Sequence, residues 1–187
     1  MISTSCSDFK QLGKYEKRWA VRHPFASLKI RKIKKQCDPV YAANKNNPDL
    51  DTYENGGKLD AYRHLFYTLA FTFSVKPKKV LALGEAHEKD NYLGFLKNKK
   101  EETEVADSMS CQMDLLNNAE AANLIIKLHH ERNIKLASDV CIKHIKEGKA
   151  WFMKRDEQGN YLRCNGSTIN LEEYKGKWNI PKCLIQK

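Results

Sequence analysis

The sequence predicts a mainly α-helical protein, a single helical domain with a small C-terminal β-hairpin. Apolar residues recur every three to four positions in several long segments, which is the period of an amphipathic helix. After Gly148 the period changes to two, which is the period of a strand. The chain has 187 residues, of which 41% are hydrophobic and 30% are charged. This length and composition are typical of one globular unit.

The chain is strongly basic. It has 33 lysines and arginines against 23 aspartates and glutamates, a formal net charge of +10. Two interpretations stay open: a solvated basic surface, or attraction to an anionic lipid or another polyanion. The basic residues are not interleaved with aromatic residues in a recognisable pattern, so we predict no specific nucleic-acid motif. No segment approaches the roughly 18 consecutive apolar residues of a membrane-spanning helix.

The six cysteines are widely spaced, without a C-x-x-C pair or a Cys/His cluster. This spacing does not predict a structural zinc site. We expect buried thiols, with disulfides in an oxidising compartment as the alternative. Residues 2–6 look like the end of a lipoprotein signal sequence, in which Cys6 would carry the lipid if the true start lies upstream. The predicted location is therefore the cell envelope or the cytoplasm.

The N-terminal part, residues 1–36, is predicted to form basic amphipathic helices packed on the remainder, residues 37–187, within one globular unit. Pro24 suits the first turn of a helix, and after it apolar residues alternate with lysines and arginines. Helices of this kind bind membrane surfaces. We expect the commoner arrangement, a surface helix packed on its own core.

The prediction centres on residues 56–64. Residues 37–57 are rich in turn-forming residues and predict a long loop, which leads to a helix over 58–74. Its first turns carry Asp60, Arg63 and His64 at positions i, i+3 and i+4, which share one helix face. The following residues are apolar nearly all round, which indicates a central, buried helix.

The next helix is predicted over 77–88, beginning at Pro77 and ending with His87 and Glu88 at its C-terminus. Residues 89–108 are polar and predict an exposed loop or lid. A helix that runs on to residue 128 follows, and in it Asp114, Asn117 and Asn118 repeat the i, i+3, i+4 spacing.

The C-terminal part predicts one more helix and a β-hairpin. The helix covers 137–147 and ends at Gly148. The hairpin has strands over 151–154 and 161–164 with a turn at 156–160. Trp178 and Ile180 are expected to anchor the tail. The histidines at 129, 130 and 144 lie among charged residues and are expected at the surface.

These polar helix positions predict a shared site, because burying so many polar groups is costly unless they satisfy one another or line a pocket. Both arrangements stay open. A metal would be held by two histidines and one carboxylate, a set that leaves a coordination position open. Without a metal, one histidine is a general base and Arg63 with an asparagine holds an anionic oxygen. The candidate catalytic residues are His64, His87, Asp60, Arg63 and Glu88; the substrate-binding ones are Asp114, Asn117 and Asn118; and the metal set, if a divalent metal is bound, is His64, His87 and Asp114.

Three motifs of this chain occur in the order D-A-x-R-H (residues 60–64), A-H-E (86–88) and M-D-L-x-N-N (113–118). In this order the chain resembles an uncharacterised bacterial domain family over residues 55–165. Members of that family are often small exported or lipoprotein-like proteins, or C-terminal domains of larger toxin-like chains. The resemblance implies a mostly helical domain whose three motifs meet in one site, and it implies no established reaction.

We expect a hydrolase-like enzyme of the bacterial cell envelope or an effector-type enzyme that acts on a phospholipid or a lipid-linked phosphate. The alternative is a non-catalytic envelope protein, in which the polar network is structural and the basic face binds lipid or a partner. In the enzyme the three motifs would surround an open site, whereas in the non-catalytic protein they would hydrogen-bond to one another in a closed network.

Overall fold

A computed structural model of the protein describes residues 9–98, 104–128 and 131–186. Its fold is mainly α-helical, as predicted. The helices whose bounds both lie in the described residues are α1 (Lys14–Arg22), α2 (Pro24–Asn44), α3 (Lys58–Phe71), α4 (Pro77–Leu96), α5 (Ser108–Leu124) and α6 (Ile134–Lys146), with short 3₁₀ turns at Ile125–Leu128 and Leu171–Tyr174. Two strands, β1 (Trp151–Met153) and β2 (Leu184–Gln186), form a small antiparallel sheet.

Helix α3 lies at the centre of the fold, as predicted. It packs against α2, α4, α5, α6 and β1. The side chains of Tyr62, Leu65, Phe66 and Leu69 are fully buried in the main core. A helix surrounded on so many sides has a fixed position, so polar groups at its N-terminal end meet residues of several other elements.

Helix α2 is longer than predicted, and the expected loop over 37–57 is wrong for residues 37–44. Pro39 lies inside the helix, where it removes one backbone hydrogen bond. Cys37 is nevertheless fully buried, and Val40 and Tyr41 pack on the main core. This packing outweighs the turn-forming tendency of the local sequence.

Helix α4 is also longer than predicted and ends at Leu96. The expected loop is therefore wrong for residues 89–96, while residues 99–103 lie outside the described part. Tyr92 and Phe95 hold the last turns, since their rings lie 4.9 and 5.0 Å from the ring of Trp178. His87 and Glu88 consequently lie inside a helix and not at its C-terminus.

The strand pairing at the C-terminus differs from the predicted hairpin. Strand β1 pairs with β2, in the register Phe152 to Ile185. The end of the predicted hairpin does form, where the Leu162 N–H donates a hydrogen bond of 3.0 Å to the Lys154 carbonyl. A turn does form at 156–160, closed by a bridge between Arg155 and Tyr161. Sequence periodicity identifies a strand but not its partner, and here the partner comes from the tail.

Two of the cysteines form a disulfide, Cys164–Cys183, so the expectation of buried thiols is wrong for this pair. Cys37, Cys111 and Cys141 are buried thiols. Burial raises the pKa of Cys37 to about 12, with a smaller contribution from Asp38. At neutral pH the Cys37 thiol therefore stays protonated and is a poor nucleophile.

His144 is buried, with its Nε2 3.8 Å from Glu120 Oε2, so the expected surface position is wrong for this residue. It follows the buried positions 137 and 141 on the inner face of α6. The histidines at 129 and 130 lie outside the described residues. Within the described ranges, no helix is both long enough and apolar enough to cross a membrane.

Candidate functional site

The N-terminus of α3 is fixed by Asp51, which lies in the loop before it. The Asp51 carboxylate accepts hydrogen bonds from the backbone N–H groups of Lys58 at 2.7 Å and Leu59 at 3.2 Å. These are two of the N–H groups that have no partner within the helix. Gly57 allows this approach, because a Cβ atom there would overlap the Asp51 carboxylate.

Asp60, in the first turn of α3, is 2% exposed and is held from two sides. Its Oδ2 accepts a hydrogen bond of 2.7 Å from the backbone N–H of Gly56, and its Oδ1 accepts one of 2.7 Å from Arg63 Nη2. Gly56 has a positive φ of 70°, which favours glycine. The glycine pair therefore orients both the helix start and the Asp60 carboxylate.

The imidazole of His64 connects the polar residues predicted on α3 with those predicted on α5. Its Nε2 lies 3.2 Å from Asp114 Oδ1 on α5 and 3.6 Å from Asp60 Oδ1 one turn earlier on α3. Arg63 Nη2 lies 3.3 Å from the same His64 nitrogen. Asp60, His64 and Asp114 form a group whose ligand atoms all lie within 4.8 Å of one another. We call these three residues the Asp–His–Asp cluster.

Asn117, one turn after Asp114 on α5, faces β1. Its Nδ2 donates a hydrogen bond of 2.8 Å to the carbonyl of Trp151, and its Oδ1 accepts one of 3.0 Å from the Trp151 N–H. The amide thus pairs with a peptide group as a neighbouring strand would. Asn117 is fully buried, and its hydrogen bonds hold β1 against α5.

Asn118 links α5 to two other helices. Its Oδ1 accepts a hydrogen bond of 2.7 Å from Thr68 Oγ1 on α3. Its Nδ2 lies against Gly84 of α4, where a Cβ atom would be 2.7 Å away. Asn118 is buried in the middle of the fold, so these contacts connect helices.

His87 does not join the Asp–His–Asp cluster. Its Nδ1 lies 3.0 Å from Glu16 Oε1 on α1, and its side chain is 37% exposed. Glu88 is buried and accepts a hydrogen bond of 3.0 Å from Asn91 one turn later. Among the described residues, the possible metal ligands are Asp60, His64 and Asp114. The sequence had predicted His87 in place of Asp60.

Three positions that orient the site were not identified from the sequence. Asp51 was not singled out, because it lies seven residues before the first residue of α3 and so outside the position where a capping residue is expected. Trp151 and Met153 were assigned to a strand without a role. The Met153 N–H donates a hydrogen bond of 2.7 Å to the Gly56 carbonyl, so β1 also supports the turn that holds Asp60. No local signal predicts this contact.

The Asp–His–Asp cluster is a group of residues that could hold a metal ion. Ligand atoms bound to one zinc ion at about 2.0–2.2 Å lie about 3–3.5 Å apart, and the two His64 distances of 3.2 and 3.6 Å are close to this range. Asp60 and Asp114 contribute two negative charges, and Arg63 contributes one positive charge. With a neutral imidazole the group is therefore negative overall, which favours a cation.

A family model described as Domain of unknown function (DUF6973) matches residues 17–149. The match contains all eight predicted site residues, begins before the range of the motif resemblance and ends before β1. No curated protein and no solved structure matches the chain.

Proposed function

The chain belongs to this family of domains of unknown function, and we propose that it is a metal-dependent hydrolase centred on the Asp–His–Asp cluster. The observation that carries the proposal is the convergence of Asp60, His64 and Asp114, whose ligand atoms all lie within 4.8 Å of one another. An imidazole and two carboxylates suit zinc or manganese. Three protein ligands leave a position for water or substrate.

A divalent ion at this position would lower the pKa of a bound water and supply hydroxide at neutral pH. Arg63 lies beside the cluster with 16% of its side chain exposed. A guanidinium can donate hydrogen bonds to the oxygens of a phosphate group. Together with the net charge of +10, this supports a phosphate ester as the substrate class, including a phospholipid or a lipid-linked phosphate. In the reaction, the water oxygen would bond to phosphorus as the ester P–O bond breaks, and the leaving alkoxide would take up the proton that the water loses.

The Cys164–Cys183 disulfide supports a further part of the proposal, a location in an oxidising compartment such as the cell envelope. Disulfides persist in exported proteins and are rare in the cytosol of most organisms. The disulfide joins the turn region after β1 to the tail before β2, and the Asn117 and Met153 contacts connect β1 to the cluster.

One observation favours a second candidate, a structural polar network without catalysis. Arg63 Nη2 contacts both Asp60 and His64, so the guanidinium already balances part of the negative charge. With a protonated imidazole, two positive charges would face two carboxylates. Such a buried network holds helices together, and removing one partner is strongly destabilising.

The test measures metal binding and hydrolysis with Asp114→Asn, a substitution that keeps the shape of the side chain. Zn²⁺ and Mn²⁺ are titrated calorimetrically, and melting temperature and hydrolysis of para-nitrophenyl phosphate esters are recorded. We expect the wild type to bind one ion and to gain several degrees in melting temperature, because a ligand specific for the folded state stabilises it. Asp114→Asn should lose more affinity than the roughly 10- to 100-fold typical of an outer-shell substitution.

The matched control is Asp139→Asn, which changes an exposed carboxylate on α6 and should behave as the wild type. If neither ion binds the wild type, or if Asp114→Asn binds as well as the wild type, the metal proposal is wrong. A large drop in melting temperature for Asp60→Ala, without any metal effect, would support the structural candidate.

A further inference from the structure

Helix α2 has an apolar face that is exposed in the described part of the protein. Its buried face consists of positions 26, 30, 33 and 37, at helical spacing. On the opposite face Phe25 is 80% exposed and Leu28 is 59% exposed. Val21, at the end of α1, is 70% exposed. Large apolar side chains this exposed and this close in sequence indicate an interaction surface.

The same segment carries most of the excess positive charge. Residues 17–37 contain eight lysines and arginines and no aspartate or glutamate, whereas the whole chain has a net charge of +10. Lys29 and Lys32 are exposed and lie four and seven positions after Phe25, on the same helix face. We call Phe25, Leu28, Lys29 and Lys32 the basic apolar face.

We propose that the basic apolar face docks the protein on the surface of an anionic phospholipid bilayer. Helices that lie in a membrane interface combine apolar side chains that enter the acyl boundary with lysines and arginines that meet lipid phosphates. The exposed Phe25 and Leu28 supply the first part and the exposed lysines supply the second. The proposal does not depend on the proposed function.

Two other occupants fit the face less well. A nucleic acid would use the positive charges, but it offers no apolar layer for Leu28. A second copy of the chain would place the same patch against itself, and the positive charges of the two segments would repel each other. The anionic bilayer complements both the charge and the apolar side chains.

The basic apolar face lies at a distance from the Asp–His–Asp cluster. Helices α2 and α3 run antiparallel, because Lys29 Nζ donates to the Ser74 carbonyl while Tyr67 OH donates to Asp38 Oδ1. The Lys29 end of α2 is therefore next to the C-terminal end of α3. His64 is seven residues before Phe71, the last residue of α3, which corresponds to about 10 Å along the helix. Substitutions in the face therefore leave the cluster intact.

The experiment measures flotation of the full chain with vesicles of phosphatidylcholine alone and with vesicles of phosphatidylcholine and phosphatidylglycerol in equal parts. We expect binding to the anionic vesicles and much weaker binding to the neutral ones. The double variant Phe25→Ser/Leu28→Ser should lose at least about tenfold in partition coefficient, since it removes the groups that enter the bilayer. Lys29→Glu/Lys32→Glu should lose the preference for phosphatidylglycerol.

The matched control is Leu171→Ser, which removes an exposed leucine beside Glu172 and Glu173 and should bind as the wild type. Metal binding of every variant, and the melting temperature of the two serine-substituted variants, should equal those of the wild type, which separates this test from the proposed function. Equal vesicle binding by the double variant and the wild type would overturn the proposal. Tight binding to duplex DNA or RNA, without binding to vesicles, would also overturn it. A wild-type dimer that dissociates in the double variant, without any vesicle binding, would overturn it as well.

Discussion

Asp114 and Asn117 lie one turn apart on α5, yet their side chains serve different parts of the molecule. Asp114 faces the imidazole of His64 at 3.2 Å, next to a partly exposed arginine. Asn117 faces β1 and exchanges two hydrogen bonds with the Trp151 peptide group. The comparison shows that polar positions on buried helices have two different uses. A carboxylate, which only accepts hydrogen bonds, is suited to a cation, whereas an amide, which donates and accepts, completes the pairing of a backbone.

The two regions are nevertheless connected through β1. Asn117 holds Trp151, and two residues later the Met153 N–H donates to the Gly56 carbonyl. Gly56 in turn donates to Asp60 of the cluster. The position of the cluster therefore depends on Asn117, β1 and Gly56, which we call the framework. Substitutions in the framework and in the cluster should differ in their effects on stability and on metal binding.

The largest effect on stability is expected for Asn117→Ala. It removes two buried hydrogen bonds and leaves the Trp151 N–H and carbonyl without those partners, which should lower the free energy of unfolding by about 3–4 kcal/mol. In a chain of this size the melting temperature would fall by about 6–15 °C. Thermal and denaturant unfolding in the presence of a chelator measure this loss without a contribution from metal.

Asn123→Ala provides the control for that substitution. Asn123 is an exposed asparagine on the same helix, so its replacement should change the free energy of unfolding by less than about 0.5 kcal/mol. If both variants unfold alike, Asn117 is not a framework residue, and its amide would again be a candidate for substrate binding.

A smaller effect is expected for Gly56→Ala, which tests the connection between framework and cluster. The positive φ costs a non-glycine residue about 1–2 kcal/mol, and the new Cβ would lie 2.6 Å from Met153 Sδ. We expect a total loss of about 2–3 kcal/mol. We also expect weaker binding of Zn²⁺ in calorimetry, because Gly56 donates to Asp60.

Gly176→Ala is the matched control, since Gly176 has a φ of 72° and no atom within 4 Å of an added Cβ. It should show the conformational cost alone and no change in metal affinity. The difference between the two variants isolates the contact with Met153. Equal losses would mean that the Gly56 turn adapts without moving Asp60.

The sequence predicted the centre of the fold and part of the candidate site. The run of apolar residues after His64 correctly predicted a central helix, and the i, i+3, i+4 spacing identified polar faces on α3 and α5 that meet at His64 and Asp114. Helical spacing is a local property, so it can be read directly from the chain. The membership of an uncharacterised domain family is likewise confirmed.

Contacts between distant segments could not be predicted in the same way. The partner of Asn117 is 34 positions away, and β1 pairs with a strand near residue 185. The length of α4 depends on Trp178, which packs on its last turns. These outcomes depend on tertiary packing, which overrides local turn and strand signals. Similarly, the predicted metal set required His87 and His64 to converge, but the rotation of α4 directs His87 to Glu16 on α1.

The smallest effect is expected for His87→Ala, which tests the boundary of the cluster. His87 pairs with Glu16 at 3.0 Å, with 37% of its side chain exposed, and an exposed ion pair contributes at most about 1 kcal/mol to stability. We therefore expect a melting temperature close to that of the wild type, with Zn²⁺ affinity and phosphate-ester hydrolysis unchanged. In the same assays, His64→Ala should abolish both Zn²⁺ binding and phosphate-ester hydrolysis. Because the two substitutions are chemically identical, the contrast between them depends only on position. If His87→Ala reduces metal affinity or hydrolysis as much as His64→Ala, the working site includes α4, and the helix must turn its His87 face toward α3 when the site is filled.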